Sequence, residues 1–276
     1  MAGKPLAQQL LGALAPDPAR PALTWYDPTG AQRVELSGAS LANAVAKTTC
    51  LLVTELGLTP AARVELELPA HWQLAVWLLA AWSAGAVPVL VDHDRPDGGP
   101  APAVVVVGPQ ALATRCRAAF ERGADDVVAV SLDPFGRPFD IALPAMVVDH
   151  AVAVRTQPDR FPVGGQPLSA SALVPAGERE GLTGEQLVVS AGRRHPADGW
   201  RPHDRILHAG AVRSAEDVVA ALVAPMLAGA GIVWWRNPGP SGLVRTVAAE
   251  RLTVATAAID GLPPGVRVLA GAPVSS

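Results

Sequence analysis

The sequence predicts an α/β fold in which mostly parallel sheets carry helices on both faces. Three observations predict it. Short strand-like runs alternate with helical periodicities along nearly the whole chain. One run, residues 103–107, is Ala103 followed by four valines, the pattern of a strand buried on both faces. Half of the 276 residues are hydrophobic and only 17% are charged, enough for a sizeable core and against global disorder.

The elements follow in order. Gln8, Gln9 and Gly12 break the first apolar run, which reads as a short amphipathic helix rather than a signal peptide. Residues 22–26 and 33–37 read as a strand pair around the turn 27–30, with Val34 and Leu36 alternating against Arg33 and Glu35. Ser37 or Ser40 caps a helix that carries Leu41, Val45, Leu52 and Leu56 on one face and stops at Gly57. Val64, Leu66 and Leu68 alternate with Glu65 and Glu67, which predicts a strand with one wetter face. A helix over 72–83 then leads to a buried-type strand at 87–91. After a charged, Pro/Gly-rich loop at 92–102 come the valine strand, a helix near 111–122 and a strand at 127–131. Residues 133–167 lack a clear period and read as a long connection with one strand near 145–148. Strands at 172–174, 205–209, 232–235, 253–256 and 266–270 then alternate with helices at 184–191, 215–227 and 241–250. This organisation divides the chain into an α/β subdomain at 1–132, an irregular connection at 133–168 and a second α/β subdomain at 169–276.

Composition excludes several function classes. A net charge of −3 offers no basic face to nucleic acid. Two cysteines, far apart and outside any Cys/His cluster, indicate neither a disulfide framework nor a zinc site. The longest apolar stretch, 74–90, is interrupted by Ser83, Gly85 and Pro88 and falls short of a spanning helix. A cytoplasmic protein without a membrane partner is the expectation. The nearest approach to a hydrolase elbow, Val188 to Gly192, has valine for its first glycine and lies in a helical pattern. Dinucleotide binding needs three glycines between strand and helix, and Gly108-Pro109-Gln110 supplies one. His195, His203 and His208 show no metal-ligand spacing, and His208 reads as a core histidine. Trp72, Trp77 and Trp82 rotate around their helix and read as packing residues. Trp234 and Trp235, adjacent in a strand, face opposite sides.

Several segments, in order, carry a resemblance. Pro21-Ala22-Leu23 through Ser37, with Ser40-Leu41-Ala42, resembles the "PAL … LSYAELA" opening of the adenylate-forming superfamily. That superfamily comprises the acyl-CoA synthetases, luciferases and nonribosomal peptide adenylation domains. Gly57 to Val64 is similar to its "GV-x-PGDRV", and Ala84 to Val89, with Asp92 beyond, to its "AGAVPVPLD". Asp204-Arg205-Ile206-Leu207 resembles "DRVL", and Ala224 to Ala230 resembles "PLLAGA". Ala270-Gly271-Ala272-Pro273 is similar to the "GGAP" turn on which the family lays the adenine. The resemblance runs from Pro21 to Pro273 and implies the front part of that family's large N-terminal domain. A short actinobacterial group distantly similar to AMP-binding enzymes fits the length and the arginine-rich composition.

The departures bear on function. The family's phosphate loop, "YTSGTTGxPKG", belongs just before the helix that opens at Leu182-Thr183-Gly184. Here the loop position holds Gly177, Glu178, Arg179, Glu180 and Gly181, with no hydroxyl before Thr183. A triphosphate cradle needs small residues and a cation, and the glutamates oppose the anion. The histidine of the family's "PLFH" segment is replaced by the run Ala209 to Arg213, and the only lysines are Lys4 and Lys47. The chain stops at Ser276, before the ribose-binding acid and the C-terminal domain with its lysine. The expectation is a degenerate ligase-like domain, a pseudoenzyme without adenylating activity that binds a small molecule or a protein. Its candidate nucleotide positions are Gly177, Glu178, Arg179, Gly181 and Thr183 in the loop and Gly271, Ala272 and Pro273 in the adenine turn. No catalytic residue, metal or cofactor is expected. Two alternatives stand beside it. One is an active ligase that uses ATP and CoA, with Arg179, Arg193 or Arg194 in place of lysine or a C-terminal domain supplied in trans. The other is an unrelated Rossmann-like protein. Self-association through an exposed edge strand is a further expectation.

Overall fold

The computed structural model describes residues 3–27, 31–91, 99–236 and 238–269, and its strands form two large sheets and a hairpin. Helix α1 (Leu6–Gly12) buries Leu6, Ala7 and Leu10. Strands β1 (Pro21–Tyr26) and β2 (Arg33–Ser37) pair antiparallel as predicted, though 28–30 of their turn lie outside the described residues. The Ser37 hydroxyl accepts from the Ser40 amide and so caps α2 (Gly38–Cys50), which runs on through a π-helical turn, Leu51–Glu55.

The next stretch builds a five-stranded, wholly parallel sheet. It comprises β3 (Arg63–Glu67), α3 (Trp72–Ser83), β4 (Val87–Leu90), β5 (Val104–Val107), α4 (Leu112–Glu121), β6 (Asp126–Ala129), β7 (Val147–Asp149) and the short α5 (His150–Ala153). Strand order is β4-β3-β5-β6-β7, with every pair parallel. The face of β3 expected to be wetter is covered. Glu65 and Glu67 are 1% and 8% exposed beneath α4, where Arg122 holds Glu65 at 2.5 Å and Arg115 holds Glu67 at 2.7 Å. Alternation reported the two faces correctly, but burial on the second face is made possible by ion pairs that no periodicity reveals.

The hairpin of β8 (Ser171–Leu173) and β9 (Leu182–Thr183) precedes α6 (Gly184–Arg193). Then come β10 (Arg205–His208), α7 (Ala215–Val218), a π turn, α8 (Ala224–Leu227), β11 (Gly231–Trp235), α9 (Pro240–Ala249), β12 (Val254–Ala255) and β13 (Arg267–Val268). The six-stranded sheet has the order β13-β12-β10-β11-β1-β2, parallel except at β1–β2.

That sheet crosses the division at 1–132, 133–168 and 169–276. Strand β1 leaves its neighbours in sequence and pairs with β11, Trp25 opposite Trp234. Its central residues are buried on both faces, so it needs a parallel neighbour and not only the antiparallel β2. Helix α3 packs against β1 of one sheet and β3 and β4 of the other, and its residues from Gln73 to Ser83 are all buried. A helix enclosed by two sheets must be apolar all round. Its side chains join residues of both sheets in one continuous core. The α/β, mostly parallel class is therefore observed. The second large sheet removes the single-sheet Rossmann alternative.

Candidate functional site

The phosphate-loop position is the tip of the β8–β9 hairpin. Its base is fixed: Trp82 Nε1 donates to Ala172 O at 2.5 Å, and Leu90 N and Val174 N exchange bonds with Val174 O and Pro88 O. Gly177 adopts φ +77° in a turn closed by Glu178 N to Pro175 O, a conformation that disfavours any side chain. Gly177, Glu178, Arg179, Glu180 and Gly181 are all exposed. Two amides of the loop are held by the protein's own carbonyls. Ala176 N donates to Arg213 O at 3.1 Å, and Glu178 N is held by the turn itself.

The start of α6 is likewise occupied. Gly184 N donates to Ala170 O, Glu185 N to Leu168 O and Gln186 N to the Thr183 hydroxyl, at 3.2, 2.8 and 3.2 Å. Gln186 returns a bond to Thr183 N, completing a capping box. The one hydroxyl at this position is thus engaged in the helix cap. Arg193 and Arg194 lie at the other end of α6, roughly 15 Å along a ten-residue helix, and Arg194 pairs with Glu216 at 3.1 Å. Gly271, Ala272 and Pro273 lie outside the described residues, as does Asp92.

A cleft of about 360 Å³ opens beside this hairpin, where the carboxyl ends of β3, β4 and β5 face the loops after β10 and β11. Crevices at strand carboxyl ends are where open α/β sheets bind ligands. Leu68, Leu90, Val91 and Val212 supply apolar wall, while Glu67, Gln110, Arg213 and Arg236 supply the polar groups. Glu67 and Gln110 come from the five-stranded sheet, and the two arginines from the six-stranded one.

His208 closes β10 beside this cleft. Ala211 O lies 3.2 Å from Nε2 and can only accept, so Nε2 carries the proton and Nδ1 accepts from the Thr256 hydroxyl at 3.0 Å. Burial lowers its pKa and keeps the ring neutral. Both nitrogens are engaged, so the ring sets the 209–211 turn. His71 caps α3 through Nδ1, with burial pushing its pKa down to about 3. No cluster of metal-ligating side chains occurs among the described residues.

Comparison with known proteins follows this geometry. No protein-family model matches the chain. A "TIGR03089 family protein" of Mycobacterium tuberculosis is 35% identical over 240 residues, covering 87% of this chain and 93% of that protein. The chain belongs to the TIGR03089 family. Its fold is that of acyl-CoA synthetase N-terminal regions. MatB from Rhodopseudomonas palustris superposes with a TM-score of 0.71 at 19% identity, over 92% of this chain and 49% of the other. A Brucella canis acyl-CoA synthetase gives 0.73 at 17%, with coverages of 92% and 48%. Acetoacetyl-CoA synthetase from Streptomyces lividans gives 0.72 at 21%, with coverages of 91% and 42%. The TIGR03089 chain spans about half the length of these structures.

The resemblance read from collinear motifs is therefore correct at the level of fold, and the homologue is actinobacterial. Sequence reasoning about this TIGR03089 chain missed Glu67, Gln110, Arg213 and Arg236. Each lies at or just after the carboxyl end of a parallel strand, and that position was the available signal. No described helix is long and apolar enough to cross a membrane.

Proposed function

We propose that this chain is a non-adenylating acyl-CoA synthetase-like module, which keeps the fold and a ligand cleft without activating an acid through ATP. One observation carries the reading. The first three amides of α6, which would face a phosphate with the positive end of the helix, are all bonded to the protein's own oxygens.

Magnitudes rank the causes. Two exposed carboxylates at the hairpin tip cost an approaching phosphate only about 1 kcal/mol each at 4 Å in water. Each missing donor to a transition-state oxyanion is worth about 2.7–4 kcal/mol, so the absent donors dominate. Arg179, the one cation in the loop, is exposed between two glutamates. Neither ATP nor CoA is required under this reading. Pyrophosphate exchange with a panel of carboxylic acids tests it.

A further inference from the structure

We propose that the apolar strip beside strand β7 is the contact through which this chain pairs with a second copy of itself about a two-fold axis. Phe135, Ile141 and Met146, in the crossover from β6 to β7, are 78, 61 and 78% exposed, and Val152 in α5, just past β7, is 52% exposed. Elsewhere among the described residues only Val189 and Val244 are large apolar side chains so open to solvent, and they stand on separate helices. Ala142, Pro144 and Ala145 extend the strip, and its exposed charges are Arg137 and Asp140. Arg137 is engaged within its own copy, paired with Asp133 at 3.0 Å and stacked over the Phe135 ring. Apolar residues scattered singly are ordinary on a surface, whereas a run of them marks an interaction site.

Strand β7 is the outer strand of the five-stranded sheet, and among the described residues it is the sheet edge that nothing guards. Strand β4 is covered by the hairpin through the Val89–Val174 bridge, β13 by the Leu269–Pro196 bridge, and β2 carries Arg33 and Glu35. By contrast β7 reads Val147-Val148-Asp149, and its one charge is turned to cap α5. Val147 N already donates to Pro144 O, so side chains and not strand hydrogen bonds make the contact. Shape argues for a second copy. The same strip holds projecting side chains, Phe135 and Met146, and an open groove of about 590 Å³ lined by Leu112, Leu132, Phe139 and Ile141. A two-fold axis sets the projections of each copy over the groove of the other, so one patch completes itself. Area agrees. The four exposed side chains offer roughly 400–500 Å², over half of the ~800 Å² that each partner gives a standard interface.

The assignment stands apart from the non-adenylating reading, which pyrophosphate exchange tests and association does not. Sedimentation velocity of the full chain across the micromolar range tests the pairing, and a reversible dimer is the expected result. Met146→Glu and Ile141→Glu, both at exposed positions, should each weaken it about a hundredfold, because every substitution enters a two-fold interface twice. Val189→Glu, at a position 54% exposed on α6, should leave association unchanged. Melting curves at a concentration where all variants are monomeric should coincide with that of the parent chain, which separates lost pairing from lost folding. A chain that stays monomeric at every concentration would overturn the proposal and leave the strip to a different partner. So would a dimer that survives both glutamates, or one that Val189→Glu disrupts as strongly.

Discussion

The indole N–H of Trp234 donates to the Ala221 carbonyl at 3.0 Å, the acceptor that Pro225, four residues along the same helix, has no N–H to reach. Strand β11 thereby completes a helix that its own sequence interrupts. Both groups are buried, so Trp234→Phe leaves a carbonyl short of a partner and should cost about 1–3 kcal/mol. Adding Pro225→Ala, which restores an N–H, should recover part of the loss. A double-mutant cycle by urea denaturation measures that coupling, and strict additivity would contradict the account.

Glu65 lies in the middle of β3, 1% exposed, and takes both terminal nitrogens of Arg122 at 2.5 and 3.1 Å. Arg122→Ala strands that carboxylate and should cost about 3–5 kcal/mol. Replacing both with leucine should cost much less, because no charge is then left buried. Denaturation midpoints of the three variants decide between a pair needed for stability and one that merely tolerates burial.

His150 is buried between Trp77 and Thr48, its Nε2 3.1 Å from the Thr48 hydroxyl, and burial lowers its pKa to about 4. The folded ring therefore resists a proton that the unfolded chain accepts near pH 6.5. Between about pH 6.5 and 4 the unfolded state binds more protons, so stability falls as pH drops, by up to about 1.4 kcal/mol per unit for this group. Below that window its penalty is constant. Melting temperature against pH should be flatter for His150→Asn than for the parent chain across this interval.

Arg267 anchors the edge strand β13. It donates to Asp198 at 2.8 Å and Gly199 O at 2.7 Å and contacts the buried Asp204. Asp204 also receives Arg201 N and the Thr253 hydroxyl, so Arg267→Ala leaves it partly satisfied. A loss of about 1–3 kcal/mol is expected. Hydrogen exchange should quicken first at the amides of Arg267 and Leu269, which donate to Thr253 O and Ala255 O.

Periodicity located the long elements because their burial is one-sided or complete over many residues. Helix α3 and the valine strand β5 were legible for that reason. Strand β9 was not, since two residues cannot display alternation. The pairing of β1 with β11 was hidden because partners some two hundred residues apart leave no local trace. At the candidate site the sequence showed which groups were missing from the loop. It could not show that the α6 amides are taken by Ala170, Leu168 and Thr183, because such bonds depend on where the preceding chain folds back.

The central claim is that these occupied amides leave no place for the phosphates of ATP. Acid-dependent exchange of labelled pyrophosphate into ATP, run with the purified chain, magnesium and a panel of short and long carboxylic acids, tests it most directly. The account predicts no exchange above the acid-free background for any acid. Exchange that depends on the added acid and disappears on Arg179→Ala would contradict it.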